Sequence, residues 1–134
     1  MKRDGVRLAC RDFGGEGPAV LLHGLAGHSG EWSETTGWLS TDHRVIALDA
    51  RGHGRSERAP HDVGPPACVA DVAFTIEALG LGRAVLVGQS LGGLTALLVA
   101  ARLPHLATGL VVADAGPGSE DGRAVAATID ALSG

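Results

Sequence analysis

Four short runs of aliphatic residues constrain the fold of this chain more than any other feature. Each run is four residues long, which suits a strand and is too short for a helix. The runs occupy residues 19–22, 45–48, 84–87 and 110–113. Strands that lack a polar face are typical of a parallel sheet that is covered on both sides. The sequence therefore predicts a central sheet whose strands are mostly parallel.

Helical patterns separate the predicted strands. One runs over residues 69–79 and stops at Gly80, and another runs over residues 91–101 before Pro104 ends it. Ahead of the first apolar run, the alternating residues 6–10 predict a half-buried strand. Strands and helices that alternate with short connections predict an α/β fold, with helices on both faces of the sheet and right-handed crossovers.

Composition excludes several classes of function. The 134 residues are 45% hydrophobic and can bury a core, and a formal net charge of -4 gives no reason to expect nucleic acid as a partner. Lys2 is the only lysine, which excludes a phosphate-binding Gly-Lys-Ser/Thr loop and a Schiff-base lysine within the fold. Cys10 and Cys68 are too few for a disulfide framework, so we interpret them as small buried hydrophobic residues in a reducing compartment.

The sequence shows no segment that would target the chain to a membrane. Residues 1–5 are charged, but no apolar run of signal-peptide length follows them. No later segment approaches the length of a membrane span. We therefore expect a cytoplasmic protein without a membrane partner.

A Gly-x-Ser-x-Gly motif lies directly between an apolar strand and an apolar helix. It reads Gly88-Gln89-Ser90-Leu91-Gly92. At such a turn the serine takes a strained backbone conformation, and its neighbours two residues away must be small so that strand and helix can approach. The hydroxyl of Ser90 should then project above the carboxyl edge of the sheet, where helix amides stabilise negative charge. The position of the motif, more than its letters, predicts a nucleophile.

Two further turns complete a pattern that resembles the α/β-hydrolase family. Residues 23–27 read His-Gly-Leu-Ala-Gly after the first apolar run, and residues 49–56 read Asp-Ala-Arg-Gly-His-Gly-Arg-Ser after the second. With the serine turn, they resemble that family over roughly residues 6–117. The resemblance implies an α/β-hydrolase core at residues 1–117, with residues 118–134 beginning the cap insertion. It also implies that the chain is truncated before the rest of the cap and the final strands.

The same resemblance implies a serine hydrolase that acts on a small molecule without a cofactor or metal. The backbone amides of Leu25 and Leu91 would form the oxyanion hole, and Ser90 would attack an ester, a lactone, or a related acyl or carbon–carbon substrate. Asp114 occupies a position that some relatives use for the catalytic acid, whereas many place the acid one strand later. Its alternative interpretation is a strand-end residue that bonds to local amides.

The general base is the gap in this prediction. A serine hydroxyl needs a histidine base, and the family order places it after the nucleophile. His105 is the only histidine after Ser90, and a helix of about a dozen residues, roughly 18 Å at 1.5 Å per residue, should carry it to the opposite edge. His23 and His53 follow strands that end near Ser90, but both have structural explanations within their turns. We therefore predict that the catalytic histidine is missing from this chain.

Several residues receive structural interpretations, and a second function stays open. Trp32 and Trp38 are interpreted as packing residues, and residues 49–56 as a turn held by side-chain hydrogen bonds. A metal site has ligand types available but no supporting spacing; its ligands would be His23, His28, Asp49 and His53. The alternative function is a catalytically inactive fragment that acts as a binding or assembly module, because an exposed sheet edge at residues 110–113 favours self-association.

Overall fold

The computed structural model describes residues 1–113 and contains seven strands and three α-helices. The strands are β1 (Lys2–Arg3), β2 (Val6–Arg7), β3 (Cys10–Asp12), β4 (Pro18–Leu22), β5 (Arg44–Leu48), β6 (Ala84–Gln89) and β7 (Ala107–Ala113). The helices are α1 (Ser33–Leu39), α2 (Pro65–Ala78) and α3 (Leu91–Arg102). All four apolar runs form strands, and both helical patterns form helices, so these predictions are confirmed.

The main sheet has five strands in the order β3-β5-β4-β6-β7. Its four apolar strands are parallel, and only β3 runs antiparallel, against β5. β4 lies in the centre, with Leu22 in register with Leu48 of β5 and Gly88 of β6. The ends of β4, β5 and β6 therefore meet at one edge of the sheet, and so do the turns that follow them.

The core explains why the strands are apolar on both faces. Val20 and Leu22 of β4 pack on the side of α2 and α3, whereas Leu21 packs on the other side against Trp32 and Leu39. Helices thus cover both faces, as predicted. Among residues 1–113, β7 lies at one edge of the sheet and is covered less completely, with the side chain of Val111 53% exposed. Within the described residues, none of the helices is long and apolar enough to cross a bilayer.

The predicted strand at residues 6–10 is split in the structure. β1 and β2 form a hairpin around Asp4 and Gly5, which have φ of 48° and 78°, and β3 begins only at Cys10. The strand breaks because the amide of Ala9 donates to the Ser56 hydroxyl, 2.9 Å away, instead of to a neighbouring strand. A side chain 47 residues away, which local periodicity does not reveal, therefore interrupts the pattern.

Two of the packing interpretations need correction. Trp32 packs partly buried against the sheet, but Trp38 is 64% exposed, so its assignment as a packing residue is wrong. Helical period places Trp38 on the solvent side of the short helix α1. Cys10 and Cys68 are only half-buried, and this burial raises the pKa of both thiols.

Candidate active site

Ser90 lies at a sharp turn between β6 and α3. Its backbone has φ 51° and ψ -116°, in the left-handed region of φ that costs a residue other than glycine about 1–3 kcal/mol. The amide of Ser90 donates to the carbonyl oxygen of Ala113 at 2.9 Å, and its carbonyl accepts from the amide of Leu94 at 3.1 Å. Bonds on both sides thus hold Ser90 in a conformation that an unconstrained serine would avoid. The predicted strained turn is confirmed.

The two outer glycines of the motif are required by close backbone contacts. A Cβ atom on Gly88 would overlap the carbonyl oxygen of Gly92, and one on Gly92 would overlap the carbonyl oxygen of Leu22. Strand β6, strand β4 and helix α3 therefore approach one another more closely than any side chain at these positions would permit. This approach brings the start of α3 against the end of β4.

The turn of residues 24–27 lies beside Ser90. A Cβ on Gly24 would lie 3.4 Å from the Cβ of Ser90 and 4.0 Å from its Oγ. The amide of Gly27 donates to the carbonyl of Gly24 at 3.0 Å, and Ala26 has a φ of 61°. The side chain of Leu25 is 73% exposed, so packing does not explain its position in the turn.

Leu91 is the first residue of α3. Because it begins the helix, its amide has no carbonyl one turn earlier to which it could donate. The positive end of the helix dipole therefore lies next to Ser90. The structure brings the serine, the turn of Leu25 and the start of α3 together, as the sequence predicts, whereas Asp114 lies outside the described residues.

Residues 49–56 form a turn that is held by the Asp49 carboxylate. The amides of Ser29 and Arg55 donate to the Asp49 carboxylate at 2.6 and 3.2 Å. The Ser56 hydroxyl donates to the backbone carbonyl of Asp49 at 2.5 Å. The carboxylate lies 2.5 Å from where a Cβ on Gly54 would be, which explains the glycine there. The structural interpretation of this turn is confirmed.

Replacing Asp49 with asparagine should lower the free energy of unfolding by about 2 kcal/mol at neutral pH, within the usual range for hydrogen bonds to a charged group. Asp49 is 3% exposed, and burial alone would raise its pKa. The hydrogen bonds from Ser29 and Arg55 outweigh burial and hold the pKa of Asp49 below its usual value. Its contribution should therefore be complete above about pH 3.9, the unfolded value, and be lost as the pH falls through the folded pKa.

Urea denaturation at a series of pH values measures this contribution. The stability of Asp49→Asn should depend less on pH in the acid range than that of the wild type. Asp42→Asn is the control, because Asp42 is exposed and its replacement should change stability by less than about 0.5 kcal/mol. Equal losses in the two variants would contradict the role assigned to Asp49.

The histidines near Ser90 have both ring nitrogens engaged. His23 Nδ1 lies 2.8 Å from the carbonyl oxygen of Gly24, and its Nε2 accepts the amide of Ala50 at 3.0 Å. His53 Nδ1 lies 3.0 Å from the carbonyl oxygen of Arg51, and its Nε2 accepts the amide of Ala26 at 3.1 Å. Burial, with a smaller effect from His53, lowers the pKa of His23.

His105 and His28 lie in turns that involve other residues than Ser90. His105 lies in the turn Pro104–Leu106, past the far end of α3, as predicted. His28 caps the short turn Ser29–Trp32 by accepting the amide of Gly30. Across residues 1–113, the hydrogen bonds include none between the Ser90 hydroxyl and a histidine. In the same part of the chain, His, Cys, Asp and Glu side chains form no group that could hold a metal ion.

A buried ion-pair network links the turn of residues 49–56 to α2. Sequence reasoning missed this network. Arg51 donates Nε and Nη2 to the two carboxylate oxygens of Asp71 at 2.6 and 2.8 Å, and Nη1 to the Asp62 carbonyl at 2.7 Å. Arg3 Nε donates to the same carboxylate at 2.7 Å. The hydrogen bonds between Asp71 and Arg51 raise the pKa of Arg51. An Asp within the apolar pattern of α2 was the one signal in the sequence.

The cavity next to Leu91 is small. Its volume is about 30 Å³, and its lining includes His23, Arg51, Asp71 and Thr95. Pockets for organic ligands usually measure roughly 300–1,000 Å³, so this cavity has room for water only. Two larger cavities, of about 590 and 410 Å³, are lined by residues away from Ser90.

Comparisons with known proteins agree with this geometry. A family model described as the alpha/beta hydrolase fold matches residues 17–129. The sn-1-specific diacylglycerol lipase ABHD11 of Xenopus laevis is 41% identical over 104 residues, which are 75% of this chain and 32% of that protein. This chain therefore spans about a third of the length of that relative.

Two solved structures superpose well on the chain. Est816, an N-acyl homoserine lactone degrading enzyme, has a TM-score of 0.80 at 32% identity. The match covers 83% of this chain and 43% of the Est816 chain. A marine microorganism esterase also has a TM-score of 0.80, at 31% identity, over 96% of this chain and 51% of its own. The similarity therefore extends over most of this chain.

Proposed function

The chain belongs to the α/β-hydrolase fold family, and on this premise we propose that it carries the nucleophile of a serine hydrolase. In the proposed reaction, Ser90 Oγ attacks the carbonyl carbon of an ester, a lactone, or a related acyl or carbon–carbon substrate. The single observation that carries the proposal is the strained backbone of Ser90, φ 51°, at the first turn of α3. A folded chain keeps such strain where it is held by its surroundings, and this occurs most often at functional sites.

The amides of Leu25 and Leu91 are the proposed oxyanion donors. Attack on a carbonyl places negative charge on its oxygen, and amides that already point there need no reorganisation. Removing one such donor typically costs about 3 kcal/mol of transition-state stabilisation. The side chain of Leu25 is exposed, which is compatible with this role because the backbone amide, and not the side chain, is the donor.

The general base is proposed to come from outside this chain. The serine proton must pass to a base, but His23 and His53 both use Nε2 to accept an amide and direct Nδ1 at a carbonyl. The sequence has six histidines, none of which follows residue 113. Asp114 is the proposed acid that would orient such a base.

Within this range, esters and lactones are the favoured substrate class, in which the carbonyl carbon carries a second, single-bonded oxygen. The named relatives are a diacylglycerol lipase, a lactone-degrading enzyme and an esterase, whose substrates share that bond. The cavity beside Leu91, at about 30 Å³, is too small for an organic molecule, so selection among these substrates is proposed to depend on other residues.

Fluorophosphonate labelling with added imidazole tests the proposal. Ser90 Oγ should attack phosphorus and expel fluoride while imidazole takes the proton. Imidazole should raise the labelling rate of Ser90 at least about tenfold. This increase is smaller than the roughly 10²–10⁴-fold that a base held in position by the protein contributes. Peptide mapping by mass spectrometry locates the label, and Ser33, an exposed serine, is the internal control.

The outcomes of this experiment test the nucleophile and the origin of the base separately. Labelling that persists in Ser90→Ala, or that is equal at Ser33, would contradict the nucleophile. Stoichiometric labelling of Ser90 without imidazole would contradict a base outside the chain.

The alternative proposal is an inactive fragment that assembles with a second chain. Among the described residues β7 pairs on one side only, with β6, and exposes Val111. An unpaired strand edge is a template for another strand. Absence of imidazole-dependent labelling together with a dimer in sedimentation would favour this alternative over a hydrolase.

A further inference from the structure

Two histidines join the turn beside Ser90 to the turn of residues 49–56. His23 belongs to the first turn, and its Nε2 accepts the amide of Ala50 in the second at 3.0 Å. His53 belongs to the second turn, and its Nε2 accepts the amide of Ala26 in the first at 3.1 Å. The two bonds are reciprocal, and the ring centroids lie 5.1 Å apart.

The partners of each ring define its tautomer. Nδ1 of His23 lies against the Gly24 carbonyl, and Nδ1 of His53 against the Arg51 carbonyl, at 2.8 and 3.0 Å. A carbonyl oxygen only accepts hydrogen bonds, so each Nδ1 must carry the proton. Each Nε2 faces an amide N–H and must therefore be unprotonated. The same neutral tautomer is required of both rings.

We propose that His23 and His53 are positioning residues that form a reciprocal clasp, which holds the amide of Leu25 in place. Ala26, whose amide His53 binds, directly follows Leu25 and has a φ of 61°, which an unsupported alanine avoids. The bond to His53 compensates for this backbone conformation at the residue next to the proposed oxyanion donor. The consequence for Leu25 rests on the proposed function, whereas the clasp itself does not.

Burial and charge agree with a neutral ring at His23. His23 is 3% exposed, and its burial and the neighbouring His53 disfavour the charged form. The hydrogen bond to the Gly24 carbonyl raises the pKa of His23, as Asp49 and Glu31 do to a smaller extent, but burial outweighs them and the pKa is lowered on balance. A protonated His23 would direct Nε2–H at the N–H of Ala50 and lose that bond.

Nuclear magnetic resonance of the full chain tests the clasp. Long-range proton–nitrogen spectra should show Nδ1–H tautomers for His23 and His53 at neutral pH. Hydrogen exchange should show protected amides at Ala26 and Ala50. In His53→Phe the protection of Ala26 should fall about tenfold, the change expected for the loss of one hydrogen bond.

Two variants separate a specific hydrogen bond from a general structural effect. In His53→Gln the side-chain oxygen can accept the Ala26 amide, so protection should return towards the wild-type value. His61→Phe replaces an exposed histidine and should leave the Ala26 amide unchanged. The amide of Leu86 in the buried strand β6 should stay protected in all variants, which would show that the sheet remains folded. Nε2–H tautomers, or equal exchange of Ala26 in wild type and His53→Phe, would overturn the proposal.

The labelling of Ser90 distinguishes this inference from the proposed function. The imidazole-dependent rate should fall at least about fivefold in His53→Phe and recover in His53→Gln, as expected when an oxyanion donor is displaced. If Ser90 does not label in any form of the chain while the exchange results hold, the proposed function fails and the clasp stands. If Ser90 labels equally in wild type and His53→Phe, the effect on Leu25 is wrong.

Discussion

Replacing Gly92 with alanine is expected to lower the free energy of unfolding by more than about 4 kcal/mol, or to prevent folding altogether. A Cβ at Gly92 would overlap the carbonyl oxygen of Leu22 and lie 2.6 Å from that of His23. Both atoms belong to the backbone at the end of the central strand β4, so no side-chain rotation relieves the contact. Helix α3 would have to move away from the sheet and lose the burial of its apolar face. Urea denaturation followed by circular dichroism measures the change.

The matched control is Gly37→Ala, the same substitution in helix α1. A Cβ at Gly37 would meet no atom within 4 Å. Alanine is the better helix former, so this variant should be unchanged or more stable by about 0.5–1 kcal/mol. A Gly92→Ala variant within about 1 kcal/mol of the wild type would mean that β4 and α3 can separate at little cost.

The second large effect is expected at Asp71. Replacing it with asparagine should destabilise the chain by about 3–5 kcal/mol, because the replacement leaves a buried guanidinium without its counter-charge. The side chains of Arg51 and Asp71 are 4% and 3% exposed. The loss should also be felt in the turn of residues 49–56, since Arg51 links this turn to α2. Denaturant unfolding measures the total, and hydrogen exchange at His53, whose amide donates to Ala50, reports on the turn.

An exposed ion pair of similar length provides the control for Asp71. Arg44 donates to Asp12 at 2.7 Å, but these side chains are 27% and 32% exposed. Because solvent screens such a pair, Asp12→Asn should cost less than about 1 kcal/mol. If both variants lost the same stability, burial would not be the reason for the effect at Asp71.

Local patterns in the sequence were sufficient for the parallel strands, the helices α2 and α3, and the turn at Ser90. Apolar runs of strand length require a sheet that is covered on both faces, and helical spacing of the intervening residues supplies the cover. The glycines at 88 and 92 are needed for backbone contact within this one strand-turn-helix unit and the adjoining end of β4. These features depend mainly on residues that are close together in the sequence, so local sequence patterns are enough to predict them.

Contacts between distant residues decided the rest. The split of the first predicted strand depends on the Ser56 hydroxyl, and the exposure of Trp38 depends on which side of α1 faces the sheet. The histidine pair joins residues that are 27 positions apart in the chain. A hydrogen bond of this kind requires β4 and β5 to be paired, because their pairing places the two turns side by side. Residue type shows that a side chain can bond, whereas only the folded sheet determines which partner it reaches.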